Sequence, residues 1–554
     1  MTTIALIPLD DRPPNYDFPQ SIGRIAGVEV LLPPRAWLGN LWRGAQIDRI
    51  VSWLYEQAPR LDAAIVAIDT LGYGGLVNSR QSYDSVETVL SRLTPLRELK
   101  RAHPGLALLG FNVLMRITRG NTAEEEKPYW GVYGARLFRL SYLSDKVVLG
   151  DATAAEADER ARLEAELPAD VIEDYRQGRA RNHAVNRAML QWTREGVFDY
   201  LLIPQDDTVE YGWNIAESRT LRQEIRALGL SERAITYPGA DDIGMILLAR
   251  VICQTLNWRP QVWDRYSTCR APQVITAYED RPMPELIKAH LAPLGGSLTA
   301  TPDAADFLLF VNSPAEVQGV GAFQLPLRWS EEERARRLPG YPERYRDLLS
   351  PAVLRSTQRE MNTALRDVDE FVRAIGHSLA RGQTVAVADV AFVNGADLAL
   401  GEQLLASGVA PRLAAFGGWN TAGNTLGTVL AHAVARVAHL RRGGDRDGER
   451  AHIEFLFSRF LDDYAHQTIA RTEAMLIDLP ALGIEPIMTE LPHSVEVVQE
   501  KVAARLQEQA AQLTKYFRDA PLPIAIRDLT VHDVYLPWRR LFEIGFRVEA
   551  RLAE

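Results

Sequence analysis

The sequence predicts an α/β protein built on parallel sheets, and three observations carry this prediction. Short apolar runs alternate with longer amphipathic stretches of helical periodicity along most of the chain. The runs are apolar at every position rather than at alternate positions, which is typical of strands buried on both faces. Almost every run is followed at once by a carboxylate or an amide. Such residues are expected in parallel α/β proteins because ligands bind at the carboxyl ends of the strands.

The N-terminal part of the chain contains six of these apolar runs. They predict strands at TIALIPL (3–9), VEVLLPP (28–34), AAIVAID (63–69), LALLGFNVL (106–114), YLLIPQ (200–205) and AITYP (234–238). Helices are predicted between them at 45–58, 82–103, 152–196, 215–229 and 241–257. Strands and helices in this order form parallel βα units. Six strands fit either a barrel-like (β/α) domain or an open doubly wound sheet, so both arrangements stay open.

The pattern restarts after Pro260 and predicts a Rossmann-like second lobe. Its strands are predicted at 273–278, 305–312, 384–393 and 412–416, and its helices at 283–292, 352–381 and 421–441. The Pro-, Gly- and Arg-rich segment 313–350 is interpreted as a long excursion, and 451–516 is largely helical. We therefore predict a (β/α) domain at 1–257, a second α/β domain at 258–441 and a mainly helical region at 442–554.

The bulk composition excludes several classes of protein. The 554 residues carry a formal net charge of −10 and no long block of like charge, which argues against a nucleic-acid binder. Two cysteines, Cys253 and Cys269, are too few for a disulfide scaffold or a structural zinc site. No run of about 18 apolar residues predicts a membrane span, and the start lacks the basic and apolar regions of a signal peptide. We expect a cytoplasmic protein, and the sequence leaves open whether it forms a homo-oligomer.

Two segments of the chain echo each other. LDDRPPN (9–15) follows the first predicted strand, and YEDRPMP (278–284) follows the first strand predicted after the restart. The echo predicts either two α/β units that are built alike or a shared turn chemistry.

The candidate site residues are the polar and aromatic side chains that follow the predicted strands. Those assigned to substrate binding are Asp10, Asp11, Arg12, Asp69, Tyr73, Asn112, Arg116, Tyr211, Asp241, Asn394, Asp397, Trp419 and Asn420. Each Asp or Asn taken alone is explained equally well as a turn former or a helix cap. Their recurrence at the strand ends of both halves favours a ligand site.

Asp206 and Asp207 are the predicted catalytic residues. They end the run YLLIPQDD, where the strand has turned and both side chains can face one site. Two adjacent carboxyl groups separate their pKa values, so that one holds a proton near neutral pH while the other is ionised. Such a pair can provide a general acid and, beside it, a carboxylate that stabilises charge. Metal ligation and capping of the following helix are the alternatives.

The stretch AFGGWNTAGNTLGTVLAHA (415–433) is the second distinctive motif. Its paired glycines allow the backbone to approach a ligand closely, and Trp419 is placed to stack on a sugar ring. The alternative is a tight turn with a packed tryptophan. It is neither a Walker loop nor a dinucleotide fingerprint, and the chain has no HExxH, GxSxG or CxxC motif.

These motifs together resemble a known family. IPLDDRPPN, DTLGYGGLVNSR, PQDDTVEYG, PGADDIGMILLAR and AFGGWNTAGNTLGT are similar to a bacterial family catalogued as a domain of unknown function, number 4127. The resemblance implies no activity. The Asp-Asp pair alone resembles that of substrate-assisted N-acetylhexosaminidases. That likeness implies that Asp206 orients the substrate acetamide and that Asp207 is the general acid and base.

The function predicted from the sequence is hydrolysis of a small amino-sugar glycoside without a cofactor or metal. The first alternative is a hydrolase or lyase that holds Mg²⁺ or Mn²⁺ with Asp10, Asp11, Asp69 and Asp206. The second alternative is a cytoplasmic sugar-binding protein without catalytic activity.

Overall fold

A computed structural model describes residues 2–341, 343, 345, 351–361 and 365–553. The chain forms two compact units. The first comprises Met1–Gln20, Val28–Leu247 and Tyr278–Asp280, and the second comprises Ser21–Gly27, Leu248–Ala277 and Arg281–Glu554. The three-way division of the chain at 257 and 441 stays a prediction. Parts of the predicted excursion 313–350 and of the predicted helix 352–381 lie outside the described residues.

The first unit contains a parallel sheet of six strands. These are β1 (Thr3–Ile7), β2 (Glu29–Leu31), β3 (Ala63–Ala67), β4 (Ala107–Phe111), β5 (Tyr200–Gln205) and β6 (Ala234–Pro238). Their order is β2-β1-β3-β4-β5-β6, and every neighbouring pair is parallel. Among the described residues the two edge strands, β2 and β6, are not paired with each other. Of the two arrangements left open by the sequence, the structure is therefore the open doubly wound sheet.

Ten helices lie wholly or partly in the first unit. They are α1 (Pro13–Ala26), α2 (Ile47–Gln57), α3 (Ile68–Tyr73), α4 (Leu76–Gln81), α5 (Val86–Ala102), α6 (Trp130–Leu149), α7 (Ala154–Glu166), α8 (Ala169–Arg194), α9 (Trp213–Ala227) and α10 (Ile243–Thr255). Helices α2, α5, α8 and α9 bury their apolar sides against one face of the sheet. The single helix predicted over 152–196 is wrong, because Pro168 separates α7 from α8.

The second unit contains a parallel sheet of five strands. The strands of the unit are β7 (Gln261–Tyr266), β8 (Ser297–Leu298), β9 (Phe307–Asn312), β10 (Gly319–Val320), β11 (Val385–Asp389), β12 (Phe392–Val393), β13 (Ala415–Gly417), β14 (Ile526–Tyr535) and β15 (Gly545–Leu552). The sheet order is β13-β11-β9-β7-β8. Strands β10 and β12 form a small parallel pair, and β14 and β15 form an antiparallel hairpin. The strand predicted at 273–278 is wrong, since a 3₁₀ turn over Ala271–Gln273 ends there and residues 274–278 form no strand.

The two sheets are wound alike. Numbered by their order along the chain, the strands of the first sheet follow the sequence 2-1-3-4-5-6, and those of the second follow 2-1-3-4-5. The echoed segments occupy equivalent positions in this winding. Asp11-Arg12-Pro13 leads into α1, the first helix after the first strand of its sheet. Asp280-Arg281-Pro282 leads into α11 (Met283–Leu291), the corresponding helix of the second sheet.

The rest of the second unit is mostly helical, as predicted for the C-terminal part. Its further helices are α12 (Gln324–Arg328), α13 (Glu331–Arg337), α14 (Pro351–Met361), α15 (Val368–Ala380), α16 (Leu398–Ala406), α17 (Ala422–Arg441), α18 (Arg446–Arg459), α19 (Arg471–Glu473), α20 (Leu479–Ala481) and α21 (Val495–Arg518). Two π-helical stretches, Phe460–Ala470 and Ala474–Asp478, flank α19. No helix in the described ranges has the length and apolar character needed to cross a membrane.

Candidate functional site

A charged cluster lies at the carboxyl ends of the strands in the first unit. Asp206 and Asp207 directly follow β5, and Asp207 has a φ of 42°, in the left-handed region that few non-glycine residues adopt. This backbone turn lets both adjacent carboxylates enter the same group of charges. We call the group the Asp206–Asp207 cluster; its members are Asp206, Asp207, Arg80, Arg116, Glu125 and Glu126.

Two arginines hold the carboxylates of this cluster in place. Arg80 is fully buried, and its Nη2 donates to Asp206 Oδ2 at 2.5 Å while its Nη1 donates to Glu125 at 2.7 Å. Arg116 donates from Nε to Glu126 at 2.9 Å and from Nη1 to Asp207 at 3.4 Å. Asp207 keeps the longest of these bonds. The Asp207 side chain is also 21% exposed, more than the other five members of the cluster, so it is open to a ligand.

The environment of Asp207 keeps its carboxyl group protonated up to neutral pH. The pKa of Asp207 is raised to about 7, mainly by burial and next by the negative charge of Asp206, while Arg116 and Arg80 oppose both effects. Asp206 forms its ion pair with the buried Arg80. The two neighbours therefore differ in their partners, with one paired to a buried cation and the other poised to give or take a proton.

A second buried group lies at the ends of β1 and β6, and we call it the Arg12 group. Arg12 Nη2 donates to Asp10 Oδ2 and to Asp241 Oδ1, both at 2.6 Å, and Asn15 donates to the same two carboxylates at 3.0 Å. Burial is the main cause that raises the pKa of Asp241 to about 6, and the charges of Asp10 and Asp206 add to it. The electrostatic influence of Asp206 on Asp241 links the Arg12 group to the Asp206–Asp207 cluster.

Asp69 lies at the start of α3. Its Oδ2 accepts a hydrogen bond from the Val113 amide at 2.8 Å, and the charge of Arg80 acts on it. Burial raises the pKa of Asp69 to about 7. Tyr73, on the same short helix, is buried beneath the Arg181 guanidinium. Both residues are almost fully buried.

Three other predicted residues of the first unit have local partners. Asp11 accepts a hydrogen bond from Asn40 at 3.3 Å. Asn112 donates to Asn186 at 2.6 Å in the interior. Tyr211 donates to Asp151 at 3.2 Å and meets the Tyr142 ring edge-on, and neither contact involves a member of the Asp206–Asp207 cluster.

The remaining four predicted residues, Asn394, Asp397, Trp419 and Asn420, belong to the second unit. Asp397 caps α16 by accepting from the Ala399 amide at 2.9 Å, and it is also bonded to Arg366. Asn394 and Asn420 both have positive φ and are joined by a backbone hydrogen bond of 3.1 Å.

The sequence interpretation missed several members of the site. Glu125 and Glu126 lie in the loop after β4, inside a run of three glutamates and a lysine that is ordinarily read as a solvated surface. Asn15 belongs to the first turn of α1, where it is easily taken for a capping residue. The Tyr278 carbonyl also reaches the region, accepting hydrogen bonds from the amide and the hydroxyl of Thr208. The available signal was the excess of charge in the loop after β4.

The carboxylates proposed as metal ligands have other partners. Asp10 is bonded to Arg12 and Asn15, and Asp206 is paired with Arg80. In the part of the chain that the structure describes, no group of three or more His, Cys, Asp or Glu side chains is arranged to hold a metal ion.

The fold and the site together define a class of protein: a doubly wound α/β protein with two sheets of the same winding and a buried Asp–Arg site at the strand ends. The chain belongs to the family DUF4127, described as proteins of unknown function, whose profile matches residues 4–547. The family resemblance inferred from the motifs is thereby confirmed. No curated protein and no solved structure is significantly similar to the chain, so the likeness to N-acetylhexosaminidases gains no support.

Proposed function

We propose that the protein is a glycoside hydrolase that acts on a small N-acetylhexosamine-type glycoside. The observation that carries the proposal is the adjacent pair Asp206 and Asp207, in which one carboxylate is locked to a buried arginine and the other is partly exposed. The pKa of Asp207 near 7 matches a group that donates a proton to a leaving oxygen at neutral pH. Asp207 is accordingly the general acid, and it becomes the general base once it has lost its proton.

Asp206 has the complementary role in this proposal. Its ion pair with Arg80 fixes the position of its carboxylate and keeps a negative charge beside the reaction centre. In substrate-assisted hydrolysis the acetamide of the sugar is the nucleophile, and such a carboxylate orients it and stabilises the positive charge it develops. The chain then supplies no nucleophile of its own.

The charge of the cluster fits an uncharged substrate. When Asp207 is protonated, the two arginines face three ionised carboxylates, Asp206, Glu125 and Glu126, which leaves one net negative charge. This balance does not favour an anionic glycoside and suits a neutral sugar with many hydroxyl groups. A small carbohydrate as the partner, a cytoplasmic location and the absence of a cofactor are parts of the same proposal.

The test is hydrolysis of aryl N-acetylhexosaminides by the wild-type protein and by Asp207→Asn. Asparagine tolerates a positive φ, so the variant is expected to keep the fold. We expect turnover to fall about 10²- to 10⁴-fold, the usual contribution of a general acid. The matched control is Glu210→Gln, which changes an exposed carboxylate three residues away. Equal turnover by wild type and Asp207→Asn would contradict the assignment.

A further inference from the structure

A second polar site lies in the second unit, where the loop after β13 meets the π-helical segment. Arg471 donates a hydrogen bond to the carbonyl of Asn394, whose amide donates to the carbonyl of Asn420, the neighbour of Trp419. The Trp419 ring packs against Phe542 with 5.7 Å between the ring centroids. We call this the Arg471 site. It contains the glycine-rich motif that the sequence singled out and that the proposed hydrolase mechanism does not use.

The Arg471 site presents hydrogen-bond donors that the described chain does not satisfy. Nε and Nη1 of Arg471 and Nε1 of Trp419 are buried and have no hydrogen-bond partner among the described residues. Arg471 is 0% exposed and Trp419 is 6% exposed. A buried donor without a partner is costly, and a charged donor is more costly still. An acceptor other than the described residues would therefore stabilise these N–H groups.

Arg471 also forms no ion pair with a carboxylate among the residues that the structure describes. The carboxylates closest to it in electrostatic terms are engaged elsewhere: Asp462 with Arg459 at 3.1 Å, and Glu543 with Arg540 at 2.6 Å. Burial lowers the pKa of Arg471 to about 10, and the charges of Asp462 and Glu543 offset this only in part. An isolated buried guanidinium favours an anion beside it.

The local backbone is consistent with a ligand site. Arg471 lies between the π-helical stretches Phe460–Ala470 and Ala474–Asp478. π-Helical turns are rare because their hydrogen bonding is less favourable than that of an α-helix, and they occur frequently at functional sites. The buried Asp463 of the same segment faces the end of β13, since its carboxylate accepts from the Gly418 amide at 2.8 Å.

We infer that the second unit binds a phosphate-type oxyanion at Arg471 and Trp419, either as the free ion or as a phosphate ester. A tetrahedral oxyanion has acceptor oxygens on every side and can accept from the free N–H groups of the guanidinium. The indole N–H is the second donor that we assign to it, because Arg471 is connected through the backbone of Asn394 to Asn420, the neighbour of Trp419. This inference goes beyond the proposed hydrolase activity and does not depend on it.

The experiment is a titration of the full chain with inorganic phosphate and, separately, with phenyl phosphate. Calorimetry measures binding, and thermal denaturation measures the change in melting temperature. Chloride keeps the ionic strength constant. Wild type is expected to bind and to melt at a higher temperature as phosphate is added. Arg471→Gln is expected to bind at least about ten-fold more weakly, as expected for loss of a charge-assisted contact. The relative affinities for the two probes distinguish the free ion from the ester.

Two controls separate this result from its alternatives. Arg381→Gln removes an equally charged but exposed side chain of the same unit and should bind phosphate like wild type. Asp207→Asn should also bind normally, because its residue lies in the first unit. If wild type binds neither probe, or if Arg471→Gln binds as tightly as wild type, the inference is overturned. Buried water alone as the partner of Arg471 would give the first of these results.

Trp419→Phe keeps the inference testable if Arg471→Gln fails to fold. Phenylalanine retains the ring that packs on Phe542 and removes only the Nε1 donor. Loss of one neutral hydrogen bond should weaken phosphate binding by about three- to ten-fold. Unchanged affinity in a folded Trp419→Phe protein would remove the indole from the site and overturn the inference as stated.

Discussion

At the scale of a single residue, Arg80 contributes to the stability of the fold as well as to the charge of the Asp206–Asp207 cluster. Its guanidinium is buried and bridges Asp206 and Glu125, so removing it leaves Asp206 without this cation, while Glu125 keeps only its ion pair with Arg116. We expect Arg80→Gln to lower the free energy of unfolding by about 3–5 kcal/mol, the usual cost of breaking a buried ion pair. Urea denaturation followed by circular dichroism measures this change.

The control for Arg80 is an exposed ion pair of the same unit. Arg97 pairs with Glu195 at 2.7 Å, but the two side chains are 38% and 47% exposed. Arg97→Gln should therefore cost less than about 1 kcal/mol. If the two substitutions cost the same, the buried bridge is not what stabilises the strand ends.

Asp207 allows a prediction about the pH dependence of turnover. A general acid must be protonated, and the pKa of Asp207 is about 7 in the folded protein. The rate kcat/KM should therefore be high below pH 7 and fall tenfold per pH unit above it. The descending limb should vanish from the residual activity of Asp207→Asn, and a limb that persists in this variant would assign the proton to another group.

At the scale of elements, the sequence is most informative where a strand is apolar throughout. The runs at 63–69 and 200–205 correspond to β3 and β5, both buried along their whole length. Strand β7 (QVWDRY) was not predicted, because only one of its residues is fully buried and three are charged or polar. A search for continuous apolar runs cannot find such a strand. The hairpin of β14 and β15 escaped for a related reason, since its residues alternate between apolar and charged side chains.

Local signals in the sequence mark helix ends more directly than they mark long-range contacts, although the helix predicted over 152–196 wrongly continued across Pro168. Pro168 marks the break between α7 and α8, and this was readable from the residue type alone. The partnership of Arg80 with Asp206 was not readable, because it joins residues 126 positions apart through the folding of two strands. The strand-end rule predicted where the polar side chains would gather, but not which of them would pair.

Helix α7 allows a test of its N-terminal cap. Thr153 accepts a hydrogen bond from the Glu156 amide, and the Glu156 carboxylate accepts from the Thr153 amide at 2.8 Å, which completes a capping box. Because α7 has no fully buried residue, its stability depends strongly on this cap. Thr153→Ala should lower the free energy of unfolding by about 0.5–2 kcal/mol.

Thr94 in the interior of α5 provides the control for this cap. Its hydroxyl bonds back to the Leu90 carbonyl on an exposed face, and alanine is the better helix former. Thr94→Ala should be neutral or slightly stabilising in the same urea experiment. A loss as large as that of Thr153→Ala would show that the effect is not due to the cap.

At the scale of the whole molecule, buried aspartates and buried histidines change the stability of the protein in opposite directions as the pH changes. Burial raises the pKa of five aspartates to between about 6 and about 7: Asp69, Asp207, Asp241, Asp389 and Asp463. Their contribution to stability is complete below the unfolded pKa of about 3.9 and is lost as the pH rises through 6 to 7. Burial lowers the pKa of His432, His452 and His466, so their contribution is lost as the pH falls below about 6.5.

Between about pH 6.5 and pH 7 these three histidines are neutral in the folded and the unfolded protein, whereas the buried aspartates still lose protons on unfolding, so the melting temperature should fall over this interval. Asp69→Asn isolates one of them, because asparagine is neutral at every pH and its carbonyl oxygen can still accept from the Val113 amide. The variant should resemble wild type below about pH 4 and become more stable than wild type as the pH rises from 4 to 7, by up to about 1.4 kcal/mol for each pH unit, with no further change above pH 7. Thermal denaturation at pH 4, 5.5 and 7 measures this difference, with the exposed Asp158→Asn as the control. A constant difference between Asp69→Asn and wild type at all three values would show that Asp69 does not carry the proton, and would move the origin of the pH dependence to the other buried carboxyl groups.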